Sequence, residues 1–82
     1  MYCKEITVQL SRDEVNQKLT SIIQTANQFS SQISVNQGAI RVNAKSMLGL
    51  LSMGLAKGSE ITLIAEGPDA EESLSALSSL LV

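Results

Sequence analysis

Residues 43–58 read Asn-Ala-Lys-Ser-Met-Leu-Gly-Leu-Leu-Ser-Met-Gly-Leu-Ala-Lys-Gly. Ser46 stands where a helix would begin: its hydroxyl can accept a hydrogen bond from a backbone N–H two or three residues on, and a dense apolar run follows at once. Met47, Leu48 and Leu51 fall at i, i+1 and i+4 and share one face, while Leu50 and Met53 fall on the other. A helix this short, carrying Gly49 and Gly54 and closed by Gly54 or Gly58, cannot hide both faces in a chain of 82 residues. One face is therefore expected to stay open to solvent or to a partner, and that patch is the candidate functional surface.

On either side of this helix the pattern changes period. Upstream, Ile33 and Val35 alternate with Ser34 and Asn36, Gln37-Gly38 offers a turn, and Ile40 and Val42 continue beyond it, which predicts an antiparallel hairpin. Downstream, Ile61, Leu63 and Ala65 alternate through a last strand. Gly67-Pro68-Asp69 then stops the strand and starts a helix, with Asp69, Glu71 and Glu72 in its first turn and Ala70, Leu74, Leu77 and Leu81 as its core stripe.

Toward the N-terminus, Ile6, Val8 and Leu10 alternate with Glu5, Thr7 and Gln9, predicting a first strand with one buried face. Ser11-Arg12-Asp13-Glu14 follows as a capping box, so a helix should start directly, with Val15, Leu19, Ile22, Ala26 and Phe29 as its stripe and its end near Gln28. The order is strand, helix, strand, strand, short helix, strand, helix (βαββαβα). One apolar face per strand and one stripe per long helix predict an α+β open-faced sandwich, a four-stranded antiparallel sheet with three helices on one face, as a single domain over residues 1–82.

Composition narrows the function. The chain is 44% hydrophobic and 17% charged, ordinary for a globular domain. Its basic residues, Lys4, Arg12, Lys18, Arg41, Lys45 and Lys57, are scattered, which argues against direct nucleic-acid binding. There is no histidine, so the commonest acid–base group and the commonest zinc ligand are both missing, and no cofactor or metal is expected. Cys3 is single and reads as a half-buried strand residue. No apolar run reaches the roughly 18 residues of a membrane span, and the start lacks signal-peptide character, so the expected location is the cytoplasm, away from membranes. The serines at 52, 73, 75, 78 and 79 read as solvated surface or as bonded to helix backbone.

The element order, together with Val42-Asn43-Ala44-Lys45-Ser46-Met47-Leu48-Gly49-Leu50-Leu51-Ser52-Met53, resembles the HPr family, the histidine-containing phosphocarriers of the bacterial sugar phosphotransferase system, and in particular its catabolite-repression branch. Gln24 to Phe29, Gly58 to Leu63 and Glu66 to Asp69 add to the resemblance, which covers essentially the whole chain. It implies the same open-faced sandwich. In the family the first helix is preceded by a Gly-x-His-Ala-Arg-Pro-Ala loop whose histidine accepts a phosphoryl group; here that run is Asp13-Glu14-Val15-Asn16-Gln17-Lys18-Leu19. Val15 occupies the histidine's position and offers no nucleophile, Gln17 replaces the arginine, and Asp13 and Glu14 put negative charge where a phosphoryl group would arrive. Relay through a phosphohistidine is excluded, and the chain is expected not to be an enzyme.

The resemblance implies a second site. The family's regulatory serine matches Ser46, which a dedicated kinase/phosphorylase modifies in Gram-positive relatives, the phosphorylated form docking on a transcriptional repressor. Expected partner contacts are Met47, Leu48, Leu51 and Thr20, and the expected partners are such a kinase, a transcriptional regulator or a phosphotransferase-system enzyme. A phosphate on Ser46 would sit at the positive end of the short helix and next to Lys45 in sequence. Two plainer readings stand beside this: Ser46 as a helix cap worth about 1 kcal/mol, and the chain as a degenerate phosphocarrier paralogue acting as an unphosphorylated competitor or structural subunit.

Overall fold

The computed structural model describes all residues from Met1 to Val82. Its elements are β1 (Tyr2–Thr7), α1 (Arg12–Asn27), β2 (Gln32–Gln37), β3 (Ile40–Asn43), α2 (Met47–Met53), β4 (Glu60–Glu66) and α3 (Ala70–Leu81). The strands form one antiparallel sheet in the order β1-β4-β2-β3, which leaves β1 and β3 as edges. Alternation decides which side is covered. Ile61, Leu63 and Ala65 of β4 face the same way as Ile33 and Val35 of β2, and all five are buried beneath the helices. The intervening Thr62, Ile64, Ser34 and Asn36 line the open face. Eighteen buried apolar residues make one continuous core.

The capping box forms at α1. Ser11 Oγ accepts the Glu14 N–H at 3.2 Å, and the Glu14 carboxylate accepts the Ser11 N–H at 3.0 Å. That second bond, chiefly, holds the Glu14 carboxyl below its ordinary range. Leu10 just before the cap and Val15 at the fourth helical position occupy the places of a hydrophobic staple, and both pack into the same core. Val15, Leu19, Ile22 and Ala26 form the buried stripe.

The first strand departs from the expected pattern. It runs from Tyr2 to Thr7, not along the Ile6-Val8-Leu10 alternation, and most of it is exposed, Cys3 included. The cause is distant in sequence: Lys4 occupies a core-side position opposite Leu63 and sends its ammonium to Ser78 Oγ at 3.0 Å, so the strand's inner face opens with a charge rather than an aliphatic residue. Val8 is fully buried but lies at a bulge, donating to the Ser59 carbonyl while its own carbonyl accepts from Gly58, whose φ of +92° suits a glycine leading such a bulge. Of the two glycines able to close α2, Gly54 does so and Gly58 serves the sheet.

Asp69 opens the last helix as expected, but its carboxylate is engaged elsewhere. It stands at the N-cap of α3, yet its side chain makes no capping bond there. The carboxylate instead accepts the N–H groups of Ser30 and Ser31, both at 2.9 Å, and the Ser31 hydroxyl, tying the α1–β2 turn to the β4–α3 turn. These bonds, the Ser31 hydroxyl first, lower its pKa. Because the folded-state value is depressed, the stabilisation is complete above the unfolded-state value of about 4 and is lost as pH falls through the lower folded-state value. The stability gap between the native chain and Asp69→Asn is therefore expected to be full near neutrality and to close below about pH 4, as read by urea unfolding at several pH values. A gap that stays constant with pH would refute the clamp.

Ser73 and Ser78 are buried rather than solvated. Both hydroxyls bond helix backbone, Ser73 to the Ala70 carbonyl and Ser78 to that of Ser75. No helix is long and apolar enough to cross a membrane.

Candidate functional site

The site is assembled where the hairpin hands the chain to α2. Asn43 ends β3 and folds back: its Oδ1 accepts the Lys45 N–H at 2.8 Å and its carbonyl accepts the Ser46 N–H at 3.0 Å. This turn presents Ser46 in extended geometry (φ −103°, ψ 115°), as an N-cap requires. Ser46 Oγ then accepts the Gly49 N–H at 3.1 Å. No side-chain base is hydrogen-bonded to the hydroxyl, whose one partner is the Gly49 N–H, so nothing in the chain activates Ser46 as a nucleophile.

The two faces of α2 separate cleanly. Leu50 and Met53 are 5% and 9% exposed and join the core, whereas Met47, Leu48 and Leu51 are 43%, 80% and 46% exposed. Three large apolar side chains thus sit partly or largely in solvent within the first two turns after the cap. Thr20 is exposed on α1, a helix that packs against α2, and no hydrogen bond joins it to the patch. Arg12, which sequence alone presents as one more scattered base, lies with its guanidinium against Gly54. It brings positive charge to the C-terminal end of α2, where the helix dipole favours it. The signal for this contact would have been three-dimensional, since 42 positions separate Arg12 from Gly54.

Lys45 does not serve Ser46 as its place in the chain suggests. Its ammonium donates to the Phe29 carbonyl at 2.8 Å, beyond the last turn of α1, a helix with no basic residue of its own at that end. Val15, which the sequence resemblance sets against the family's phosphohistidine, is 3% exposed and belongs to the core. Ser11 caps α1 ahead of it, and the Val15 N–H is spent on the Ser11 carbonyl at 2.9 Å. No group of three or more histidine, cysteine or acidic side chains is close enough to hold a metal ion.

The sequence model of the family described as the PTS HPr component phosphorylation site matches residues 3–82. The chain belongs to the HPr family. Among curated HPr relatives, the HPr-like protein Crh of Halalkalibacterium halodurans is 39% identical over 90% of this chain and 88% of its own length. The crystal structure of the phosphocarrier protein HPr from Bacillus anthracis superposes with a TM-score of 0.92 at 34% identity, covering 99% of this chain and 96% of that one. The crystal structure of Crh from Bacillus subtilis, the catabolite repression protein, reaches a TM-score of 0.72 at 33% identity over 92% of this chain and 82% of that one, and is described as a swapped-domain dimer. HPr proteins are phosphocarriers, and this member shares their sheet and helices with no histidine anywhere in its 82 residues.

Proposed function

We propose that this HPr-family chain is a regulatory protein-binding module of carbon catabolite control, switched at Ser46 and acting in the cytoplasm, which carries no phosphoryl group on histidine. The observation that supports it is a juxtaposition: a helix-capping serine is followed within the first two turns by the exposed Met47, Leu48 and Leu51, while Val15, which the resemblance sets at the carrier position, lies in the core. An exposed apolar trio of this kind suits docking on another protein. Phosphate on Ser46 would add close to two negative charges beside that trio, at the helix end that tolerates them, so modification would change what the patch binds without unfolding it. Lys45 would pair with the phosphate only by leaving the Phe29 carbonyl.

The test is incubation of the whole chain with an HPr kinase/phosphorylase and ATP, phosphate being located by mass spectrometry and repressor binding followed by calorimetry. The expected result is a single phosphate on Ser46 and repressor binding gained with it, both absent in Ser46→Ala. Phosphate elsewhere, or phosphate on Ser46 that leaves binding unchanged, removes the switch. A second reading, an unphosphorylated competitor subunit, rests on the bond from Gly49 that already employs the Ser46 hydroxyl as a cap. It predicts that Ser46→Ala binds the family's former partners as well as the native chain does.

A further inference from the structure

We propose that the free edge of β1 and the adjoining flank of α3 form a docking groove for an extended basic peptide segment, taken up as a fifth strand. Val8 turns both its N–H and its carbonyl toward the strand beside it, bonding Ser59 and Gly58, and Gln9 turns its N–H the other way, to the Leu81 carbonyl. Strand alternation then directs the main-chain groups of Cys3, Glu5 and Thr7 outward, and β1 has no neighbour on that side. The Gln9 side chain covers the Thr7 carbonyl at 3.3 Å. Cys3 and Glu5 therefore each present a donor and an acceptor, and Thr7 a further donor, a row that can template an added strand.

Beside this edge lies a groove of about 530 Å³, lined by Tyr2, Cys3, Lys4, Glu71, Glu72, Leu74 and Ser75. Its charge selects the occupant. Glu71 and Glu72 are exposed on the helix wall, whereas the one cation among the lining residues, Lys4, is held by Ser78. A strand laid along β1 would point alternate side chains toward α3, so lysine or arginine at every second position would meet Glu71 and Glu72. A second copy of this chain fits worse. Pairing of two β1 edges that keeps both sheets facing the same way centres its longest ladders on Lys4 or Glu5, setting like charges directly opposite one another.

The experiment titrates the isotope-labelled full chain with acetyl-Lys-Val-Lys-Val-Lys-Val-amide, followed by amide chemical shifts. Saturable shifts are expected at Cys3, Glu5 and Thr7, weakening as salt is raised. Charge reversal with Glu71→Lys and Glu72→Lys should reduce affinity about tenfold or more. Glu5→Pro should reduce it below that of Glu5→Ala, because proline removes an outward N–H that the β4 ladder does not use. The helix-wall variant keeps the test independent of how well the proline variant folds. Equal binding of the Glu-Val counterpart, shifts centred on Leu48 and Leu51, or no saturable binding would overturn the proposal. So would dimerisation without peptide, seen by sedimentation, that moves the same amides.

Discussion

Val15→His is expected to destabilise the chain by about 2–4 kcal/mol and to yield no phosphocarrier. The side chain at this position is almost wholly buried, and the void beside it, about 10 Å³, is lined entirely by apolar residues that include Leu19, Ile22, Val35 and Leu63. An imidazole would find there neither room nor a hydrogen-bond partner, and the staple with Leu10 would be lost as well. Nor would the helix end receive a phosphoryl group. The first turn of α1 is closed by Ser11 and Glu14, and Asp13 and Glu14 give that turn two acidic residues. Thermal unfolding should show the loss, and incubation with phosphoenolpyruvate and the general phosphotransferase enzyme should leave the variant unmodified by mass. A phosphorylated variant of native stability would show instead that the helix start can slide to residue 15, and that the core position is not what disables the carrier site.

What the sequence made legible follows the distance over which each feature is decided. The capping box spans four residues, and the faces of α2 are set by spacings of three and four, so Ser11 and Glu14, and Leu50 against Leu51, can be assigned from local pattern alone. The hairpin and the last strand read correctly because Ile33 and Val35 of β2 and Ile61, Leu63 and Ala65 of β4 keep a strict apolar alternation with no charge among them. The first strand did not. Its inner face carries Lys4, whose partner Ser78 is 74 residues away, and nothing local reveals that an ammonium is accommodated there. Asp69 stands at the start of the last helix as read, but its side-chain partners were hidden for the same reason: acidic residues at a helix start ordinarily serve that helix, and only the folded chain brings Ser30 and Ser31 within reach. At the candidate site the apolar trio was legible, while the direction of Lys45 and the reach of Arg12 to Gly54 depend on packing between helices.

The same long-range clamp locates the residue whose change should cost most for its size. Gly67→Ala is expected to destabilise the chain by about 2–4 kcal/mol, against about 1 kcal/mol for Gly38→Ala. Both glycines have positive φ, 147° and 59°, so both substitutions carry backbone strain. The difference lies in what the new methyl meets. At Gly38 nothing lies within 4 Å, but at Gly67 it would stand 2.6 Å from the Ser31 hydroxyl and 2.7 Å from the Ser31 Cα. Ser31 cannot retreat, being 1% exposed and held through its N–H and its hydroxyl by Asp69. Relief would require the two turns to part, which breaks the carboxylate bonds and loosens the start of α3 over Ala70 and Leu74. Urea unfolding of both variants beside Asp69→Asn measures this directly. If the clash acts through the clamp, Gly67→Ala and Asp69→Asn combined should cost less than the sum of the two alone, since one parting of the turns serves both. Strict additivity would mean that the strain at Gly67 is absorbed elsewhere and that the two turns are held together independently of Asp69.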